Sequence, residues 1–283
     1  MNNLTKHTPV MLTESINALA IEKNGIYVDA TFGFGGHSKA ILSKLGKAGK
    51  LYALDKDASV IKIAEQEFIH DKRFTLKHGC FSSLESLSKE WGIHGSVNGI
   101  LFDLGVSSEH LDNPERGFSF IRKGPIDMRF DQSSGISANK WLATASEDLI
   151  SKTIRKYGEE RYAKRIAKRI VLQRGKEKIN TTNDLVQIIN KAIPKNETNK
   201  HNATRTFQAI RIYINQELEI LRNTLESTYN ILAPKGRLVL ITYHSLEERV
   251  IKDFLILTDK SLSAPKDLPL SNQFLTKLFK TIN

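Results

Sequence analysis

Hydrophobic and polar positions follow two periods along this chain, and the change from one to the other divides it. Met11, Leu12, Ile16 and Leu19 share one face of a helix predicted over Met11 to Ala20. Short apolar runs then alternate with stretches of helical period. Strands are predicted at Gly25 to Thr31, Lys50 to Leu54, Arg73 to His78 and Val97 to Phe102. Between them lie helices at Gly36 to Leu45 (ended by Gly46), Ala58 to Phe68 and Ser82 to Trp91, with Ser82 as the expected N-cap. Four such alternations specify a parallel sheet covered by helices.

Past Phe102 the pattern changes. Gly105 to Gly135 is rich in Gly, Ser, Asp and Pro and has no period. It is too long for an ordinary connection, so it reads as a functional loop or the start of an inserted domain. Helical period returns at Ala138 to Ala145, Glu147 to Tyr157, Glu159 to Arg174 and Thr182 to Ala192, and in a long helix predicted from Ala203 to Leu232. Along that last stretch Phe207, Ile210, Ile214, Leu218, Leu221 and Leu225 form a continuous apolar stripe. A fifth strand follows at Gly236 to Tyr243, then a helix from His244 to Leu257. The fold class is therefore α/β: a Rossmann-like sheet domain from residues 1–113 and 214–283, interrupted by a mainly helical insert at 114–213.

Composition narrows the setting. The chain has 283 residues, one cysteine and eight histidines. A lone Cys80 allows no internal disulfide and favours a cytoplasmic setting; with scattered histidines it also argues against a structural zinc site, and no metal is expected. No apolar run approaches the roughly 18–20 residues that span a bilayer, and no signal-peptide core precedes the first helix. The net charge of +11 is unevenly spread. Pro114 to Tyr213 holds 21 lysines and arginines against 10 acidic residues, while the rest of the chain balances at 21 of each. An excess confined to the insert points to a polyanionic substrate.

The candidate chemistry lies where predicted strands end. Asp29-Ala30-Thr31-Phe32-Gly33-Phe34-Gly35-Gly36-His37 reads as a strand breaking into a glycine turn and a helix. Such a turn lets backbone N–H groups approach a ligand at a helix N-terminus, although taken alone it equally fits a plain connection. Ser38 stands where a dinucleotide fingerprint would have its third glycine, and the acidic residue precedes the turn, as in S-adenosylmethionine (SAM) methyltransferases. An NAD(P)-linked oxidoreductase of similar fold is the alternative. Asp55 ends the second strand, where a carboxylate can accept both ribose hydroxyls. Phe81 follows the third strand and either flanks an adenine ring or packs in the core. Asp103 follows the very apolar Ile100-Leu101-Phe102, at the central crevice.

Several blocks resemble the bacterial RsmH (MraW) family: His7-Thr8-Pro9-Val10, Asp29 to Ser38, Asp103-Leu104-Gly105-Val106-Ser107-Ser108 and Glu115-Arg116-Gly117-Phe118-Ser119-Phe120. So do Gly124-Pro125-Ile126-Asp127-Met128-Arg129, Tyr157-Gly158-Glu159-Glu160-Arg161, Ala203-Thr204-Arg205-Thr206-Phe207-Gln208-Ala209 and Tyr243-His244-Ser245-Leu246-Glu247. The resemblance implies SAM-dependent methylation of the exocyclic N4 of a cytosine in the P-site decoding region of 16S rRNA. It implies SAM contacts by Gly35, Gly36, His37, Asp55, Phe81, Asp103 and His110. It also implies a last antiparallel strand in a segment that would follow Leu275 to Asn283, which this sequence lacks, so a sheet edge that is exposed or differently covered is expected. The partner implied is the small ribosomal subunit, bound by a monomer or weak homodimer.

No residue reads as a covalent nucleophile: Cys80 follows a glycine and is expected to be structural. There is no Pro-Pro motif of the DNA amino-methyltransferase kind. Asp103 is the candidate acceptor for the amine proton, with Asp127 a second polar candidate. In the insert, Arg161, Lys164, Arg165, Lys168 and Arg169 share one helical face opposite Tyr162, Ile166 and Ile170, and are expected to bind phosphate together with Arg205 and Arg211. A non-catalytic SAM- and RNA-binding assembly factor is the remaining alternative.

Overall fold

A computed structural model describes residues 9–68, 70–194, 201–258 and 279–282. In chain order the elements are α1 (Leu12–Leu19), β1 (Ile26–Asp29), α2 (Gly36–Lys44), β2 (Lys50–Asp55), α3 (Ala58–Phe68), β3 (Phe74–His78), α4 (Leu84–Glu90), β4 (Val97–Asp103) and α5 (Ser108–Asp112). They continue with α6 (Ala138–Thr144), α7 (Glu147–Gly158), α8 (Ala163–Arg174), α9 (Thr182–Ala192), α10 (Thr204–Asn215), α11 (Glu217–Ile231), β5 (Leu232–Ile241) and α12 (Ser245–Thr258). The chain divides into two units: Met1–Gly105 with Leu218–Asn283, and Val106–Glu217.

The first unit is a parallel sheet in the order β3-β2-β1-β4-β5. Successive residues of the central strands face opposite sides, and both sides are apolar, as a doubly covered parallel sheet requires. Tyr27, Leu51, Ala53 and Leu101 pack with Leu19 of α1, Ile41 and Leu42 of α2, and Val60, Ala64 and Phe68 of α3. Val28, Leu54, Ile100 and Phe102 pack on the other side with Leu84 of α4, Leu221 and Leu225 of α11, and Val250 and Phe254 of α12. The strand order reverses between β1 and β4. The crevice beyond their carboxyl ends is where open α/β sheets bind ligands.

The second unit buries Trp141 and Leu142, Ile150 and Ile154, Ile166 and Ile170, Leu185 and Ile189, and Phe207 and Ile210, drawn in turn from α6 to α10. The aperiodic stretch after β4 is packed into this core through Phe118, Ile126 and Met128. Hydrogen bonds to backbone carbonyls help to hold it. The Arg116 guanidinium donates to the carbonyls of Arg129 and Phe130 at 3.0 and 2.8 Å, and Asn215 donates to the Met128 carbonyl at 2.7 Å.

Besides shifts of a few residues at strand ends and a second unit that spans Val106–Glu217 where 114–213 was expected, three boundaries differ from the sequence reading. The helix predicted from Ala203 to Leu232 is two helices, broken at Gln216, which is left-handed at φ 53° and donates its N–H to the carbonyls of Ile212 and Tyr213. The basic helix begins at Ala163 instead of Glu159, because Glu159 is itself left-handed and ends α7. Ser82 does not cap α4; it lies inside a short 3-10 turn, Phe81–Ser83. Of the stretch from Leu275 to Asn283, only residues 279–282 are among those described. The described sheet ends at β3 and β5.

Candidate active site

Three of the five parallel strands end in carboxylates at the crevice of the first unit. Asp29 closes β1 and is fully buried. It accepts a hydrogen bond from the Ser38 hydroxyl at 2.7 Å and one from the Thr31 N–H at 3.3 Å. Asp55 closes β2; one oxygen accepts the Gly33 N–H at 2.7 Å and the other the Asp57 N–H at 2.8 Å. Asp57 in turn caps the start of α3 through the N–H and hydroxyl of Ser59. Asp57, and not Asp55, is therefore the cap of α3, while Asp55 faces the glycine turn. Asp103 closes β4, with its N–H bonded to the Thr31 hydroxyl at 2.6 Å. Its carboxylate accepts the Tyr243 hydroxyl at 2.9 Å and lies 3.7 Å from Nδ1 of His37.

Within the loop the glycines have separate causes. Gly33 is left-handed at φ 54°, and a Cβ there would meet nothing within 4 Å, so its surroundings are open. Gly35 is also left-handed, but a Cβ on it would come within 2.6 Å of Phe32, and one on Gly36 would collide with Pro9. Those two glycines are therefore required by the protein's own packing, and only Gly33 stands in open space. His37, in the first turn of α2, is 5% exposed, and its Nε2 has no hydrogen-bond partner among the described residues.

The charges at this site are strongly coupled. Burial pushes the Asp29 carboxyl up to about 7; the Ser38 and Thr31 hydrogen bonds oppose this, and the charges of Asp103 and Asp55 add to it. Burial holds His37 below its ordinary value, against the pull of Asp103. Burial, with the charge of Asp103, raises the Tyr243 phenol well above its usual value, so it is an O–H donor at any working pH. Three carboxylates at neighbouring strand ends repel one another and favour a cation among them. The buried His37 imidazole, which also feels the Val10 backbone, adds a polar group beside them. SAM, with its ammonium, sulfonium and ribose hydroxyls, fits this donor set.

A stability consequence follows from Asp29. From about pH 4 to about pH 7 the folded chain retains the Asp29 proton that the unfolded chain has released, with 3.8 as the unperturbed value. Its contribution to stability therefore falls as pH rises through that window and levels off above it. Asp29→Asn removes this fall. The variant's melting temperature should gain on wild type's between about pH 5 and about pH 8, both measured without cofactor. Parallel curves would mean that Asp29 is ionised in the fold throughout.

The remaining residues singled out from sequence lie as follows. Phe81 opens the 3-10 turn after β3, half-buried, with its ring edge-on to Phe102 at 5.5 Å. His110 belongs to the second unit: it is buried in a capping box with Ser107, its ring against Phe118 and Phe130. Asp127 braces its loop through both oxygens in a pair with Arg129, which keeps it ionised despite burial. Lys164, Arg165, Lys168 and Arg169 are exposed on α8 while Ile166, Ala167 and Ile170 are buried. Arg161 precedes that helix and is exposed, as is Arg205 on α10. Arg211 is a correction to the sequence reading: it is 13% exposed and forms a bidentate pair with Glu217 at 2.8 Å through both arms, which occupies the fork a phosphate would need. Tyr243 and Glu247 lie in a block noted from sequence, but neither was assigned a role. An aromatic residue just after a strand is unremarkable until the fold sets it against Asp103.

A parallel sheet of this order, with a glycine turn after β1 and carboxylates closing β1, β2 and β4, defines a Rossmann-like α/β fold with a nucleoside-cofactor crevice. Residues 4–283 match the family described as the MraW methylase family, and the chain belongs to it. Its methyl donor is S-adenosylmethionine, and the oxidoreductase alternative falls. Among solved structures, it is similar to a candidate rRNA-methylase from Clostridium thermocellum (20% identity, 40% of this chain and 59% of that one, TM-score 0.30). An rRNA methylase from Streptococcus thermophilus is 21% identical over 36% of this chain and 57% of that one, TM-score 0.28. A SAM-dependent O-methyltransferase from Thermotoga maritima is 19% identical over 36% and 38%, TM-score 0.30. The chain spans less than two thirds of each of these proteins. No helix among the described residues is long and apolar enough to cross a membrane.

Proposed function

We propose that this chain methylates the exocyclic N4 of a cytosine in the P-site decoding region of 16S rRNA, acting in the cytoplasm on the small ribosomal subunit. The observation that carries the reading is Asp103. It is a partly exposed carboxylate (23%) at the strand-order reversal, with its backbone and one oxygen held by Thr31 and Tyr243. An exocyclic amine is a weak nucleophile because its lone pair is delocalised into the ring. It needs an acceptor for its proton more than it needs a covalent partner.

S-adenosylmethionine supplies a methyl group already activated on a sulfonium. Asp103 accepts the N4–H hydrogen bond, favours a pyramidal nitrogen, and takes up the proton as the N–C bond forms. Asp55 receives the ribose hydroxyls while fixing the Gly33 turn, and Gly35, Gly36 and His37 hold the amino-acid end with the N-terminus of α2. Phe81 flanks the adenine. Arg161, Lys164, Arg165, Lys168 and Arg205 bind the RNA backbone, and the 114–213 insert is the recognition domain. The target base must leave its stack to reach the methyl group, which single-stranded or looped RNA permits at lower cost.

Labelled methyl transfer from SAM to small subunits lacking the modification tests this directly, with nucleoside chromatography of the product. One labelled N4-methylcytidine per subunit is expected. Tight subunit binding with no incorporation would instead identify a non-catalytic assembly factor, and label on any other atom would displace the N4 assignment.

A further inference from the structure

Among the residues around the crevice, Tyr243 is unusual in being half exposed and yet held at both ends. It lies two residues beyond the end of β5, whose Ile241 pairs with Asp103 at the end of β4. Its hydroxyl donates to Asp103 at 2.9 Å, and its backbone N–H donates at 2.8 Å to Glu247, which is buried in the first turn of α12. The ring lies beside Gly105, which is left-handed at φ 93° and whose hypothetical Cβ would come within 3.2 Å of it. A side chain at 105 would press into the ring, so Gly105 keeps that place clear. The ring itself remains 51% exposed. An aromatic surface fixed in advance beside a catalytic carboxylate has no folding role that would require such exposure.

We propose that Tyr243 positions the acceptor base: its ring is the platform on which the unstacked base rests, and its hydroxyl orients the Asp103 carboxylate toward the amine. The proposal rests on the reading of Asp103 given above. Stacking on a ring is independent of base identity, so Tyr243 supplies affinity and register, while Asp103 selects for an N–H donor at the reacting position. Because the phenol stays protonated, the direction of the Tyr243–Asp103 bond is fixed, and one carboxylate lone pair is always spent on it. The bond thereby limits rotation of the carboxylate, whose second oxygen lies 3.7 Å from Nδ1 of His37. Fixing a reacting group in this way removes orientational freedom before the chemical step.

Two variants of the full chain separate the roles, with SAM and unmodified small subunits as substrates. Tyr243→Phe keeps the platform and loses the hydroxyl: kcat should fall about tenfold, with KM for subunits within about twofold of wild type. Tyr243→Ala loses both, so the same fall in kcat should come with a rise in KM of about tenfold. The dissociation constant for SAM, measured calorimetrically, should stay within about twofold in both, which also verifies the fold. Full kcat in Tyr243→Phe would overturn the orienting role. Equal KM in the two variants would overturn the platform. Loss of SAM affinity in both would make Tyr243 a cofactor residue instead. If wild type transfers no methyl to subunits, the acceptor reading itself has failed and the proposal falls with it. An active wild type with both variants unimpaired sinks the proposal alone.

Discussion

Asp103→Ala is expected to lower kcat for methyl transfer by about 100- to 1,000-fold, the range typical of losing a positioned general base. The site leaves little room for a substitute. Asp29 is fully buried and engaged by Ser38 and Thr31, and Asp55 spends both oxygens on the backbone of the glycine turn and of Asp57. Asp103→Asn should also be slow: its amide oxygen can accept a hydrogen bond but cannot take the proton. Cofactor affinity decides between roles. If Asp103→Ala binds SAM as wild type does, the carboxylate serves the amine; if only SAM affinity is lost, Asp103 is a cofactor ligand. The same variant has electrostatic consequences that can be read without turnover. Removing its charge should lower the Asp29 carboxyl, which Asp103 now pushes up, and lower His37 further, which Asp103 now supports. An imidazole titration of His37 that does not move would mean the two groups are screened from each other.

What could be read in the sequence followed from local rules. Alternating apolar runs and helical stripes marked each strand of the sheet, because a parallel strand buried on both faces must be short, apolar and punctuated. The carboxylates at 55 and 103 were visible as candidates because they end such runs. The features that escaped are those decided by contacts between distant residues or by one backbone dihedral. The apolar stripe from Phe207 to Leu225 continues unbroken across Gln216, because hydrophobic period records which face is buried and carries no trace of a single left-handed residue. That break creates the N-terminus where Glu217 meets Arg211, and so removes Arg211 from the phosphate-binding set. Tyr243 meets Asp103 across 140 residues of chain. The motif does not disclose that Phe32 and Pro9 also pack against Gly35 and Gly36. In each case tertiary packing set what local pattern could not.

Charge reversal on α8 should give the second large effect. Lys164→Glu with Arg165→Glu is expected to weaken binding to the small subunit by about 100-fold at physiological salt. It should also flatten the dependence of affinity on salt by about two units of logarithmic slope, since each phosphate contact releases about one counterion. The helix fixes where these side chains point. Ile166, Ala167 and Ile170 are buried, which confines 164, 165, 168 and 169 to solvent. Arg165 is further ordered by packing 5.5 Å from the Tyr162 ring centre, while the Arg161 guanidinium lies 4.8 Å from that ring and reaches the Tyr162 hydroxyl. Guanidinium groups held against a ring give up less freedom on meeting a phosphate than free side chains do. Neutral Gln replacements lose the same two phosphate contacts and should show about the same change in slope, with a smaller loss of affinity because they add no repulsion. Surface exchanges of this kind alter stability by only about 0.5 kcal/mol, and SAM affinity should be unchanged, so a folding defect is separable from a binding defect. An unchanged salt slope in the reversed variant would mean that α8 presents a solvated basic face and that the RNA contact lies elsewhere on the insert.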